Sequence, residues 1–246
     1  MAQAGGEAAS LSISPLAPRD WVKASLAGLA PVVAGRFVVH GSHDRAAVAA
    51  NHIAVEIEAA LAFGTGHHGT TRGCLMALDT LVKRRRASDA AARRRKARML
   101  DIGTGSGVLA IAAAKALRAP VIASDIDAIA VNAARANARL NHSAPGIRIV
   151  RAAGLAAPSI RQYAPYDLVF ANILLGPVRR LAGPIARMLT PGGRAVISGL
   201  LASQANAATA VYRAQGLALE RRITLEGWTT LVFRRPGGAL RHSPSS

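Results

Sequence analysis

Residues 99–125 read MLDIGTGSGVLAIAAAKALRAPVIASD. Met99 to Ile102 are mostly apolar and stop at Gly103, which predicts a short buried strand. Residues 107–117 are apolar on nearly every face and predict a buried helix. Residues 120–125 form a second apolar run that ends in an acid. A strand, a glycine turn, a helix and another strand make a βαβ unit with a right-handed crossover. Glycines at 103, 105 and 107 let the chain pass close under a ligand. The helix start behind them presents unpaired N–H groups, which suit a carboxylate or another anion.

The same alternation continues outward. Residues 128–141 predict a helix with Ala, Val and Leu on one face, and 147–152 and 166–172 predict further strands. Residues 178–189 predict a helix stopped by Pro191-Gly192-Gly193, followed by a strand over 194–200. Residues 203–216 predict a helix ended by Gly216. Residues 217–235 predict two strands around a Glu226-Gly227 turn. The expected fold is α/β: a Rossmann-like, doubly wound, mostly parallel seven-stranded sheet with one antiparallel strand from the C-terminal hairpin. On the amino-terminal side, Gly35 predicts a turn into a strand at Phe37–Val39. Residues 53–57 predict another strand. Thr70 or Thr71 is expected to cap the helix that follows. The expected organisation is a flexible N-terminus at 1–14, a linker-like stretch at 15–60, the main domain at 61–235 and a flexible tail at 236–246.

Composition narrows the function classes. Of 246 residues 51% are hydrophobic and 18% charged, which excludes a disordered chain. A single cysteine, Cys74, excludes an intramolecular disulfide framework and a multi-cysteine zinc site, and no metal site is expected. Lys115 and Arg118 interrupt the most apolar stretch, so no run reaches the ~18 residues of a membrane span. The first residues lack a basic segment followed by an apolar one, so a cytoplasmic chain is expected. Net charge is +18, carried by 27 Arg and 4 Lys, a skew that biased composition alone can produce. Segment 83–98, KRRRASDAAARRRKAR, contributes +8. Such a run reads as a solvated face, or as a contact for RNA or the ribosome. Aromatics at 4% argue against a protein that stacks single-stranded bases.

Asp125 ends the second strand 22 residues after Gly103. An acid there can accept both hydroxyls of a ribose. The dinucleotide fingerprint is G-x-G-x-x-G, whereas here the third glycine comes one residue early. The D-x-G-x-G-x-G pattern of 101–107 fits S-adenosyl-L-methionine better. A dinucleotide and a purely structural turn stay open on this pattern. FANILLGP, 170–177, follows the fourth strand, so Asn172 should lie at the carboxyl edge beside Gly103 and Asp125. Methyl transfer from a sulfonium needs an acceptor lone pair aimed at the methyl carbon, ~3–3.5 Å away. A side-chain amide can steer an amine into that pose, which makes Asn172 the candidate catalytic residue; a plain strand-end turn is its alternative. Methyltransferases of planar acceptors often carry N-P-P-aromatic at this point. Ile173, Leu174 and Leu175 stand here instead and point to a non-planar amine. His67 and His68 are candidate bases by residue type alone.

Taken together, these segments resemble the bacterial ribosomal protein L-eleven methyltransferase family. AFGTGHHGTT at 62–71 is similar to the family's AFGTGTHPTT, MLDIGTGSGVLAIAAAK to its D-x-G-C-G-S-G stretch, and ANILLGP to A-N-I-L-A-G-P. SDIDAIAVNAARANARLN and LTPGGRAVISGLL are similar to two further family segments, and the resemblance spans about 15–235. It implies a class I, S-adenosylmethionine-dependent enzyme that methylates protein amines, lysine side chains or an N-terminal α-amine, on a ribosomal protein. It implies cofactor contacts at Thr71, Gly103, Asp125 and Asn172. The 64–70 loop, with Thr65, Gly66 and His67, is expected to close over the methionine end. Asp101, Gly105 and Ile126 complete the candidate set. The partner expected is a ribosomal protein, with possible rRNA contact through 83–98; the oligomeric state is not legible. Thr104 replaces the family's cysteine, and the family's small α/β recognition domain is expected to be mostly absent ahead of residue 15. Alternative readings are a methyltransferase of RNA or a small molecule, a non-catalytic ribosome-associated binder, and a nicotinamide-dependent oxidoreductase.

Overall fold

The computed structural model describes residues 31–58, 68–87 and 96–237. The expectations for 1–14 and for Thr65, Gly66 and His67 lie outside the described residues. So do those for the middle of the basic segment and for nearly all of the tail.

Seven strands form the central sheet: β4 (Met99–Ile102), β5 (Val121–Asp125), β6 (Ile147–Arg151), β7 (Tyr166–Asn172), β8 (Leu189–Leu201), β9 (Ala218–Leu225) and β10 (Trp228–Arg234), in the order β6-β5-β4-β7-β8-β10-β9. β10 runs antiparallel to both its neighbours, and the other pairings are parallel. This is the expected architecture, one antiparallel strand included. The hairpin turn has Glu226 at φ 52° and Gly227 at φ 79°. Two successive positive φ values are what a two-residue type I′ turn requires, so this dipeptide fixes the register of β9 on β10.

The core lies in two layers because strand side chains alternate. Met99, Phe170 and Val196 face one layer; Leu100, Val169 and Ile197 face the other. The first layer is covered by α1 (His68–Arg86), α2 (Val108–Leu117) and α3 (Ala128–Leu140). The second is covered by α4 (Pro158–Arg161), α5 (Leu175–Met188) and α6 (Ala205–Ala214). Spacing explains α5: Val178, Ala182, Ile185 and Ala186 repeat at helical intervals and are all buried.

Two details differ from the sequence reading. Helix α1 starts at His68, so Thr70 and Thr71 lie inside its first turn and do not cap it. Helix α5 ends at Met188, and β8 begins at Leu189, ahead of Pro191-Gly192-Gly193. Tyr166 pairs with Leu189 and Leu168 with Arg194, so β8 uses five residues where β7 uses two. The surplus folds out as a bulge, with Gly192 at φ 78° and its N–H donating to the Arg235 carbonyl at 2.9 Å. Arg235 also donates to the Ala186, Arg187 and Leu189 carbonyls and so closes the end of α5.

The stretch ahead of the main domain carries the two strands expected at Phe37–Val39 and 53–57. It holds β1 (Val32–Ala34), β2 (Phe37–His40) and β3 (Ile53–Glu56), a separate three-stranded sheet with β3 parallel to β2. Phe37, Val39 and Val55 share one core with Leu75 and Leu78 of α1 and Ile111 of α2. Asn137 on α3 and Asn141 at its C-cap, a turn apart, take the place of a fourth strand. Asn141 accepts from the Glu56 N–H at 3.0 Å and donates to its carbonyl at 2.6 Å; Asn137 accepts from the Glu58 N–H at 3.1 Å. An exposed strand edge needs such partners.

Among the described residues, no helix is long and apolar enough to cross a membrane.

Candidate active site

The glycine loop joins β4 to α2. Gly103 and Thr104 both donate their N–H to the Ser124 carbonyl, at 2.8 and 2.9 Å, which ties the loop to the end of β5. Gly103, at φ 67°, lies against the next crossover: a Cβ there would come within 2.4 Å of Ile173 Cγ2. Gly105, at φ 54°, is the opposite case, because a Cβ there would meet nothing within 4 Å among the described residues. Its surface is bare, and a ligand can lie directly on the backbone.

Asp101 holds the loop from behind. It is 1% exposed, and the Thr104 hydroxyl donates to it at 2.6 Å. Burial pushes its carboxyl up to about 6, a rise that the Thr104 hydroxyl partly offsets. It therefore lies beneath the loop and not on its ligand face. Asn137, which the sequence reading missed, is 1% exposed and donates to the Ser106 carbonyl at 2.9 Å. One amide thus supports both the loop and the edge of β3. The available signal was a polar residue on the apolar stripe of α3, beside Ala134 and Ala138.

Asp125 closes β5 and is partly exposed. Its Oδ2 accepts the Gly105 N–H at 2.9 Å and its Oδ1 the Asp127 N–H at 3.1 Å. Each carboxylate oxygen accepts more than one hydrogen bond, so both can still take a ribose hydroxyl. Ile126 follows at 68% exposure, an apolar face beside the carboxylate that suits a purine ring. Asp127 is the N-cap of α3 and accepts the Ile129 N–H at 2.9 Å.

Asn172 ends β7. Ala171 pairs with Ile102, so the next residues on each strand, Asn172 and Gly103, leave the sheet side by side. The Asn172 Nδ2 donates to Thr70 Oγ1 at 3.4 Å, which leaves the amide oxygen Oδ1 as the atom to accept. The Ser198 hydroxyl is 3.4 Å from the Thr70 carbonyl and 2.8 Å from Thr230 Oγ1. Four elements, α1, β7, β8 and β10, thus meet in one buried polar chain. Thr71 sits beside it in the first turn of α1 and is 7% exposed. Cys74 lies in the same region, fully buried. Burial pushes its thiol up to about 12, partly offset by Ser198 and Thr230, so it stays protonated and is no nucleophile.

The crevice thus gathers Gly103, Gly105, Asp125, Ile126 and Asn172 at the carboxyl edge, with Thr71 behind them. These residues fit S-adenosylmethionine. They offer a carboxylate for the ribose, an exposed isoleucine for the adenine and a bare backbone ahead of a helix start for the amino-acid end. The loop itself, 101–107, carries no cation to meet a diphosphate.

Comparison with known proteins identifies the family. The family model for ribosomal protein L11 methyltransferase matches residues 2–236. A ribosomal protein L11 methyltransferase of Bradyrhizobium diazoefficiens is 55% identical over 235 residues, 95% of this chain and 77% of the relative. That of Rhodopseudomonas palustris is 52% identical over 237 residues, 96% of this chain and 77% of the relative. A crystal structure of the ribosomal protein L11 methylase of Lactobacillus delbrueckii superposes with TM-score 0.71 at 24% identity. It covers 84% of this chain and 98% of that one, and supports the fold. The chain belongs to the ribosomal protein L11 methyltransferase family, and its cofactor is S-adenosylmethionine.

Proposed function

We propose that the 61–235 unit methylates amines of a ribosomal protein, at lysine side chains or an N-terminal α-amine, and that its work lies in the cytoplasm. The relatives' names make ribosomal protein L11 the first substrate to test. One observation carries the reading. Asn172 stands at the strand end beside the glycine loop, its Nδ2 engaged by Thr70 and its Oδ1 left to accept. Bound over the loop, S-adenosylmethionine supplies an electrophilic methyl on a sulfonium.

The chain's own residues do the positioning. Asp125 takes the ribose hydroxyls, and Gly103, Gly105 and the start of α2 receive the amino-acid end. Asn172 Oδ1 accepts an N–H of the neutral acceptor amine and turns its lone pair toward the methyl carbon. Held so, the amine would be aimed in line with the methyl–sulfur bond; N–C would form as C–S breaks, S-adenosylhomocysteine would leave and the surplus proton of the amine would pass to water. Ile173 and Leu174 offer the acceptor aliphatic surface and no aromatic plate, which suits an alkylamine better than a nucleobase. The basic 83–98 segment touches the rRNA around the substrate.

The test is transfer of a labelled methyl group from S-adenosylmethionine to purified L11, to total ribosomal proteins and to RNA-only fractions. Label in a ribosomal protein, lost in Asn172→Ala while calorimetric cofactor affinity stays within about threefold, supports the assignment. Label in RNA alone, or undiminished turnover in Asn172→Ala, overturns it.

A further inference from the structure

We propose that the amino edge of the central sheet, opposite the glycine loop, is a docking surface for the phosphodiester backbone of RNA. It extends the contact suggested for 83–98, and it stands whether or not the acceptor is the one proposed above. In a doubly wound sheet the helices run back against the strands, so their C-termini meet at one edge. Helix α1 obeys this: Thr70 in its first turn reaches Asn172, while Arg84 and Arg85 near its end lie beside Asp167 and Gly192–Arg194. Each of the six described α-helices has a cation in its last turn: Arg86, Lys115, Arg139, Arg161, Arg187 and Arg213. None has an acid in its first turn.

One cation per helix would offset the helix dipole. This edge holds more. Lys83, Arg84 and Arg85 precede Arg86 on α1, and Lys96, Arg98 and Arg118 stand in the connections. The acids described there are already engaged. Asp79 pairs with Arg36 at 2.6 Å and Lys83 at 2.8 Å, and Glu220 with Arg194 at 2.7 Å and Arg84 at 3.2 Å. Asp167 accepts the Arg98 N–H at 2.8 Å. Lys96, Arg118, Arg139, Arg161, Arg187 and Arg213 are exposed and form no ion pair among the described residues.

The edge is also shaped. A cavity of about 630 Å³ between the ends of α2 and α3 is lined by Lys96, Lys115, Arg118 and His142, with no acidic side chain among the described residues. Lys115 is fixed there by the Ala54 carbonyl at 2.7 Å and Asn141 Oδ1 at 2.9 Å. Six strand spacings of about 4.8 Å make the edge about 29 Å long, which suits a run of phosphates better than one small anion. Arginines dominate it, and their planar forks match phosphate oxygens in pairs. A lipid surface would need apolar anchors beside the cations. Of the exposed large apolar side chains described, Ile126, Ile129, Leu174 and Leu201 lie at or just past the carboxyl ends of β5, β7 and β8, at the other edge, and Val33 lies in the small sheet. Tyr163, ahead of β7, is the one at this edge, and its ring is covered by the Arg148 guanidinium at 5.8 Å.

The test is fluorescence anisotropy of a labelled rRNA hairpin across a salt series. The wild type should bind with an affinity that falls steeply with salt. Lys96→Glu/Arg118→Glu/Arg139→Glu should weaken binding by at least about tenfold and lower the log–log salt slope by about 2 to 3. Arg135→Glu/Arg179→Glu/Arg180→Glu, an equal charge change away from that edge, should weaken it by less than about threefold. Unchanged S-adenosylhomocysteine binding in both triples shows that each is folded. Equal losses in the two triples, or a flat salt slope in the wild type, overturn the proposal. So does tighter binding of tripolyphosphate or phosphatidylglycerol vesicles than of RNA at the same salt.

Discussion

Gly105→Ala adds one methyl group at the centre of the crevice. Among the described residues no atom lies within 4 Å of the position it would take, so they offer it no collision. Its cost to stability is the left-handed backbone alone, φ 54°, about 1–2 kcal/mol for a residue with a Cβ. At about 2–4 °C per kcal/mol for a domain of this size, Tm falls by a few degrees. The N–H that donates to Asp125 Oδ2 at 2.9 Å is unchanged, so the loop keeps its tie to β5. In the proposed pose S-adenosylmethionine lies over Gly105, so the ligand should feel the methyl. Inserting a methyl into a filled contact costs about 1–3 kcal/mol, a 5- to 150-fold rise in Kd. Calorimetry with S-adenosylhomocysteine, beside thermal unfolding in the same buffer, measures both numbers. If Tm falls as expected while Kd stays within about twofold of wild type, the ligand does not rest on Gly105 and the crevice is misplaced.

Three further outcomes are expected. Gly199→Ala puts a Cβ 2.4 Å from the Ile173 carbonyl oxygen at φ 80°, so the end of β7 must open by about 1 Å. Turnover should then fall about 100-fold, further than cofactor affinity, and equal turnover would break the link between Gly199 and Asn172. Asp125→Ala removes a carboxylate worth about 1.5–3 kcal/mol per hydroxyl and should raise the cofactor Kd by at least tenfold; an unchanged Kd would refute the ribose contact. Asp101 titrates at about 6 when folded against ~3.9 unfolded, so the folded chain holds that proton more tightly. Its ionisation therefore costs the fold up to about 3 kcal/mol, a loss that sets in as pH rises from about 4 to 6. Denaturant unfolding of Asp101→Asn across that window should lack the decline, and parallel curves for the two proteins would show that the carboxyl is not perturbed.

Much of this could be read locally. The runs at 99–103 and 120–125, the glycines between them and the Glu226-Gly227 dipeptide fixed the parallel core and the hairpin, because turn chemistry and side-chain period act over a few residues. Asp125 was legible for the same reason, as an acid that ends an apolar run. The start of α1 was not. Thr70-Thr71 looks like a cap in isolation, but both threonines are buried within a turn that begins at His68. The Pro191-Gly192-Gly193 stop was misplaced because it forms a bulge, and a bulge depends on the partner strand's register.

The sequence alone determined the order of strands and helices, the glycine loop and the acid after it, since each is encoded within a few residues of chain. Tertiary structure decided the rest. It brought Thr70 to Asn172 across 102 residues, and it used Asn137 and Asn141 in place of a strand. It also gathered basic residues scattered from Arg86 to Arg213 along one edge. The physical reason is that periodicity says which face of an element is buried, while the partner it is buried against is set by the packing of the whole sheet.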